Sequence, residues 1–217
     1  MDLLDFARGP AINVAMAVMV FGVLWRLFAI LFLGKAPDRT IPRMGTPGPL
    51  GAALREIGRR MVPHPTFAFA ERFSFFNGWL FHVGLAVVVF GFRPHVLFIK
   101  NLTGLSWPTL PSGVVYVVGA ITLVSLAAAL VRRLTNPVQR FISGFGDYFA
   151  WFVTIFPVVT GLIAVGHVGA RYETLLAIHI LSVALLFAWL PFGKLFHAFL
   201  VFLSRGTTGA FLARRGV

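Results

Sequence analysis

Apolar residues run along this chain in blocks of about twenty, unbroken on every side, and the polar residues collect between the blocks. A half-buried strand would alternate, and a soluble amphipathic helix would carry a 3.6-residue stripe. Runs that are apolar all round read instead as helices crossing a hydrocarbon core of ~30 Å. Five are expected, at about 12–33, 75–98, 113–131, 148–168 and 174–203. The last is long enough to tilt or to project beyond a bilayer. A Pro-, Gly- and Arg-rich loop, 35–74, separates the first two, and a turn-rich link runs from Asn101 to Ser112. The segment 132–147 and a tight link at 169–173 complete the connections. Alternating barrel patterning is absent. The expected fold class is all-α: a polytopic helical bundle forming a single membrane domain over 1–217.

Composition agrees with lipid as the solvent. Hydrophobic residues make up 58% of the chain and charged residues 12%, with a mean hydropathy of +0.86. A soluble domain carries roughly a quarter charged residues. The formal net charge of +12, from 19 Lys and Arg against 7 Asp and Glu, would otherwise raise nucleic acid as a partner. The basic residues sit between apolar runs and not over an amphipathic surface, so they read as anchors at an anionic leaflet. Membrane lipid is the expected partner, and nucleic acid is not.

Their distribution also orients the chain. The 35–74 loop holds Lys35, Arg39, Arg43, Arg55, Arg59, Arg60 and Arg72; the next basic segment holds Arg132, Arg133 and Arg140, and the tail Arg205, Arg214 and Arg215. The opposite ends offer Arg8 beside Asp2 and Asp5, Lys100, and Arg171. With five spans the rich segments share one side, putting the N-terminus outside, the C-terminus inside and 35–74 in the cytoplasm. A multi-pass protein of the bacterial inner membrane is expected. The first run lacks a basic n-region and a small-residue cleavage site, and so reads as a retained helix. The absence of cysteine excludes disulfides, thiolate-bound zinc and an iron–sulfur cluster of the chain's own.

Chemistry therefore rests on His64, His82, His95, His167, His179 and His197. Ionisable residues inside a span are costly and usually functional, although a single one often only hydrogen-bonds to a neighbouring helix. On one continuous helix, His179 and His197 are 18 residues apart, about five full turns and ~27 Å of rise, so both face the same way near opposite leaflets. No single metal bridges that distance, but two haems stacked across the membrane would each take one ligand from such a helix. His82 is level with His197, which suggests a His–Fe–His sandwich between the second and fifth spans. At the outer level His179 has two possible partners. His95 is at a suitable height but ~220° around the helix from His82, with Pro94 able to kink the chain. His167 ends the fourth span and reads equally well as a loop residue; a chain with one haem is the further possibility. His64, flanked by prolines, reads as a surface residue.

Two segments carry a resemblance. Phe81-His82-Val83-Gly84, and His179 followed by Pro191-Phe192-Gly193-Lys194-Leu195-Phe196-His197, are similar to the cytochrome b gamma subunit of respiratory nitrate reductase and its relatives. Those relatives include membrane cytochromes of sulfite-reductase-associated and heterodisulfide-reductase-like complexes. The resemblance covers about 75–203. It implies a five-helix protein with a low- and a high-potential haem b, quinol oxidised near the outer haem, and electrons leaving inward to an iron–sulfur or catalytic redox subunit. By position, His82 and His197 would hold the inner haem and His179 one side of the outer haem. The family's second helix-two histidine lies ten residues after the first, where this chain has Phe92; His95 would have to substitute.

Arg132 and Arg133 stand where propionates of an inner haem need cationic partners, and equally where topology anchors belong. Arg93, His95 and Lys100 gather at the outer end of the second span, as quinone-binding groups or as snorkelling side chains. The competing readings are a haem-free membrane anchor and a transporter subunit with a histidine relay. A relay would need intramembrane carboxylates, which the spans lack.

Overall fold

The computed structural model describes residues 2–34, 41–46 and 48–216; Lys35 and Arg39 of the expected cytoplasmic loop lie outside them. Helices are the regular structure of these residues, with no strand among them. Six helices are long and apolar enough to cross a membrane: α1 (Leu3–Leu31), α3 (Pro65–Gly91), α5 (Ser112–Thr135), α7 (Phe145–Gly166), α8 (Tyr172–Trp189) and α9 (Lys194–Arg214). Between them lie α2 (Pro49–Arg59), α4 (Arg93–Thr103) and the short α6 (Pro137–Phe141). By contact the chain falls into two compact units, Met1–Met16 with Phe73–Trp189, and Ala17–Arg72 with Leu190–Val217.

In the first unit the start of α1 packs on α8. Pro10 offers no N–H, and the chain accommodates it in a π-helical turn, Ala7–Ala11. Ile12 and Ala15 then meet Ala184, with Ile180, Val183 and Phe187 around them. Lipid supplies no hydrophobic drive between helices, so close approach and interhelical hydrogen bonds do the work. Gly84 of α3 lies directly against Thr122 of α5, and Gly119 lets Leu162 of α7 within 3.3 Å of where a Cβ would stand. The Asn77 amide donates to the Ser125 carbonyl at 3.0 Å, and the Ser125 hydroxyl to Asn77 Oδ1 at 2.8 Å.

The second unit pairs α2 with α9 in antiparallel fashion. Gly206 faces Ala53 and Ile57, Gly209 faces Ala52 and Glu56, and Arg43 N–H donates to the Arg214 carbonyl at 3.1 Å. The C-terminal half of α1 contributes Arg26, whose guanidinium donates to the Pro191 carbonyl and lies 4.1 Å over the Phe196 ring.

Two expected spans take a different form. The helix expected over 75–98 ends at Gly91, because Pro94 cannot donate to the Phe90 carbonyl and its ring would clash there. Phe92 turns extended (φ −80°, ψ 126°), and α4 starts with Pro94 in its first turn. The orphaned carbonyls find other donors: His95 Nδ1 for Val88 at 2.8 Å, Trp107 Nε1 for Phe90 at 2.6 Å, and Leu110 N–H for Gly91 at 2.9 Å. The continuous helix expected over 174–203 is two helices, broken after Trp189. Pro191 and Gly193, the latter extended at φ −99° and ψ −173°, interrupt it before the 3-10 turn Lys194–Phe196. The sequence count of five spans thus meets six apolar helices of sufficient length.

Candidate functional site

The break at Phe92 re-aims His95. It stands at the start of α4, half-buried, with its ring centre 6.1 Å from that of His179 on α8 and the two planes 25° apart. A carbonyl only accepts, so the 2.8 Å contact to Val88 puts the proton on His95 Nδ1 and leaves Nε2 with a lone pair. On α8, His179 Nδ1 lies 3.2 Å from Thr160 Oγ1. The Thr160 hydroxyl donates to the Phe156 carbonyl at 2.8 Å, and the Pro157 carbonyl, which can only accept, also hydrogen-bonds the His179 ring, so the Nδ1 side of His179 carries the proton. Ser182 joins the network at 2.9 Å from Thr160 and donates to the His179 carbonyl at 2.7 Å. The second ring is therefore held in the same tautomer as the first.

The space around the pair is built by small and aromatic residues. A Cβ at Gly161 would stand 3.1 Å from Cε1 and 3.3 Å from Nδ1 of His179; a side chain there would displace the ring. Phe92 meets His95 edge-on at 5.3 Å and is itself braced by Tyr116 at 5.8 Å. Phe92, ten residues after His82, thus packs directly against His95.

Two imidazoles facing each other across one metal have centres about 6 Å apart, from metal–nitrogen bonds of ~2 Å and roughly 1 Å from each nitrogen to its ring centre. The His95–His179 spacing fits that arrangement. The Nδ1–H bonds to protein oxygens are the outer contacts that fix tautomer and orientation in histidine ligands.

His82 and His197 do not share a unit. His82, exposed on α3, donates from Nδ1 to the Gly78 carbonyl at 2.7 Å and stacks on Phe81 at 4.4 Å; Phe81 meets Trp151 edge-on. His197, exposed after the 3-10 turn, donates from Nδ1 to the Lys194 carbonyl at 2.8 Å. Because the helix is broken after Trp189, the same-face relation between His179 and His197 expected from 18 residues of continuous helix does not apply. His167 caps α7 in the left-handed conformation (φ 52°) and stacks on Tyr172 at 5.0 Å. His64 uses Nδ1 as an acceptor, from Thr66 N–H at 3.3 Å, and caps the first turn of α3.

The basic candidates divide. Arg133 pairs with Asp147 at 3.1 Å and with Ser143 at 2.8 Å, tying α5 to α7, whereas Arg132 lies 5.0 Å over the Phe73 ring. Arg93 and Lys100, both exposed and seven residues apart, share a side of α4 that the half-buried His95 does not. Sequence reading passed over Arg26, Thr160 and Ser182. An arginine inside an apolar run is itself a signal, but Thr160 and Ser182 meet across helices and no spacing discloses them. Trp189 Nε1 is a buried donor with no hydrogen-bond partner among the described residues.

No protein-family model matches the chain. It is 30% identical over 207 residues to a protein of Nitratidesulfovibrio vulgaris (strain Hildenborough), covering 94% of this chain and 91% of that one.

Proposed function

We propose that this chain, which belongs to the same family as the Nitratidesulfovibrio vulgaris protein, is a b-type haem membrane subunit of a respiratory oxidoreductase, passing electrons between quinone and a partner iron–sulfur or molybdenum subunit. The observation that carries the reading is the His95–His179 pair: two half-buried imidazoles with centres 6.1 Å apart, each with Nδ1 engaged by a protein oxygen. His95 and His179 would hold the outer haem, from α4 and α8, and His82 and His197, each in its own unit, are the separate ligand candidates for an inner haem. When bound, haem supplies one-electron redox chemistry at a potential set by its axial ligands and their hydrogen bonds. Val88, through His95, and Thr160, through His179, raise ligand basicity by accepting hydrogen bonds from Nδ1–H. Arg93 and Lys100, exposed on one side of α4, offer donors to a quinone carbonyl, and Arg132, over the Phe73 ring, is the cation offered to an inner propionate. The resemblance to nitrate reductase gamma subunits at Phe81–Gly84 and Pro191–His197 supports the same assignment.

The topology that suits this function has five spans, with the N-terminus outside and the C-terminus in the cytoplasm of a bacterium. The reason lies in the α2–α9 pair. α2 carries Arg55, Glu56, Arg59 and Arg60, and each charge at a bilayer centre costs about 2.5–3.5 kcal/mol or more. Packed on that helix, α9 stays at the inner surface and does not become a sixth span.

Haem content decides the proposal. Protein purified from native membranes is expected to show reduced-minus-oxidised b-type α-bands and two haems per chain by pyridine haemochrome. Spectra without haem would replace this reading with a haem-free membrane anchor or a transporter subunit.

A further inference from the structure

The second unit holds a cavity of about 350 Å³, bounded by the loop 43–46, one side of α2 and the last turns of α9. Arg43, Arg55 and Arg59 line it, and Glu56 is the carboxylate at its wall. Both Glu56 oxygens are occupied, by Arg59 at 2.9 and 3.2 Å and by Arg60. Arg43 and Arg55 therefore border the cavity with no carboxylate partner among the described residues. Arg43 Nη1 makes only a long contact, 3.4 Å, to the Gly216 carbonyl.

Guanidinium groups that meet in a concavity without counter-ions form an anion site, and their planar forks match phosphate oxygens in pairs. At ~30 Å³ per non-hydrogen atom, the share of a water molecule in the liquid, about ten to twelve such atoms fill the space. That is the size of a phosphate with its glycerol.

The surroundings select lipid over a free anion. Ile41, Met44, Leu50 and Leu54 are bare beside the cavity, Met44 97% and Leu50 73% exposed. Leu50 and Leu54 stand one turn apart on α2, while Ala52 and Glu56 on its other side are buried against α9. A short helix with naked apolar side chains flanked by arginines lies in the headgroup layer, its apolar face in the acyl boundary. We propose that this cavity binds the phosphate headgroup of an anionic glycerophospholipid of the inner leaflet, with Arg43 and Arg55 gripping the phosphate. The inference is independent of haem.

The test is native mass spectrometry of the delipidated full-length protein titrated with phosphatidylglycerol, with phosphatidylcholine, and with inorganic phosphate as competitor. One tightly held phosphatidylglycerol and a clear preference over phosphatidylcholine are expected. Each arginine is expected to contribute about fivefold, so Arg43→Gln with Arg55→Gln weakens binding by roughly twenty- to thirtyfold. Arg140→Gln, which removes a cation that does not line the cavity, should leave it unchanged. Equal binding of the two lipids, or full binding by the double variant, overturns the proposal. Binding of inorganic phosphate as tightly as of the lipid would make the cavity a free-anion site and overturn the lipid assignment. If circular dichroism shows the double variant misfolded, the competition among the three ligands on the native protein decides alone.

Discussion

His95 and His179 stand 84 positions apart in the chain, yet each is oriented by an oxygen close by in space: Val88 for the first, Thr160 for the second. This makes the outer site sensitive to its supports as well as to its ligands. His95→Ala and His179→Ala are each expected to remove the same haem, lowering content from two to one per chain by pyridine haemochrome. His167→Ala should retain both, since that residue ends α7 and its ring stacks on Tyr172. Thr160→Val keeps the shape but removes the hydroxyl beside His179 Nδ1, leaving the Pro157 carbonyl as its partner. It is expected to loosen haem retention by about tenfold or more, measured as transfer to apomyoglobin, with helicity unchanged. Gly161→Val drives a branched side chain into the His179 ring from 3.1 Å, and loss of the outer haem without loss of the inner one is expected.

Among the elements, the α2–α9 pair depends on one close approach. A Cβ at Gly209 would stand 2.7 Å from the Ala52 carbonyl oxygen, a backbone atom that cannot yield. Gly209→Leu is expected to destabilise the pair by about 1–3 kcal/mol, seen as faster tryptic cleavage at Arg55 and Arg59. The same pair should respond to acid. Hydrogen bonds from Arg59, and then from Arg60, hold the Glu56 carboxyl below its ordinary value of 4.5. A depressed folded value means that this contribution is complete above about pH 4.5 and is lost as pH falls through the folded value. Helicity in detergent should fall over that window in the native chain, and less steeply in Glu56→Gln.

For the whole molecule, the five-span reading and the six apolar helices of adequate length make opposite demands on α9. On the proposed topology a cysteine placed at Thr207, exposed on α9, reacts with a membrane-impermeant maleimide in inside-out vesicles and not in intact cells. Protection in both preparations would mean that α9 crosses the bilayer. The two units differ in what they hold: the first the His95–His179 pair, and the second the α2–α9 pair with its arginine-lined cavity.

The chain by itself determined the solvent and the class, because runs apolar on all sides leave helices in lipid as the form that satisfies every backbone group. It also singled out the histidines, whose presence in such runs is costly enough to require a reason. What it could not determine was where helices stop and which polar groups meet. Pro94 was legible as a disturbance, but whether it kinks or ends a helix depends on donors such as Trp107 and Leu110 arriving to take the freed carbonyls. Pro191 and Gly193 break a run that hydropathy reads as continuous, since hydropathy is blind to φ and to a missing N–H. The tautomer of His179 hangs on Thr160 and the Pro157 carbonyl, both on another helix, and Glu56 is a buried carboxylate only because Gly209 admits it. Periodicity reports what a residue's own helix does with it; the partners across the gap are supplied by packing, and packing alone brought these together.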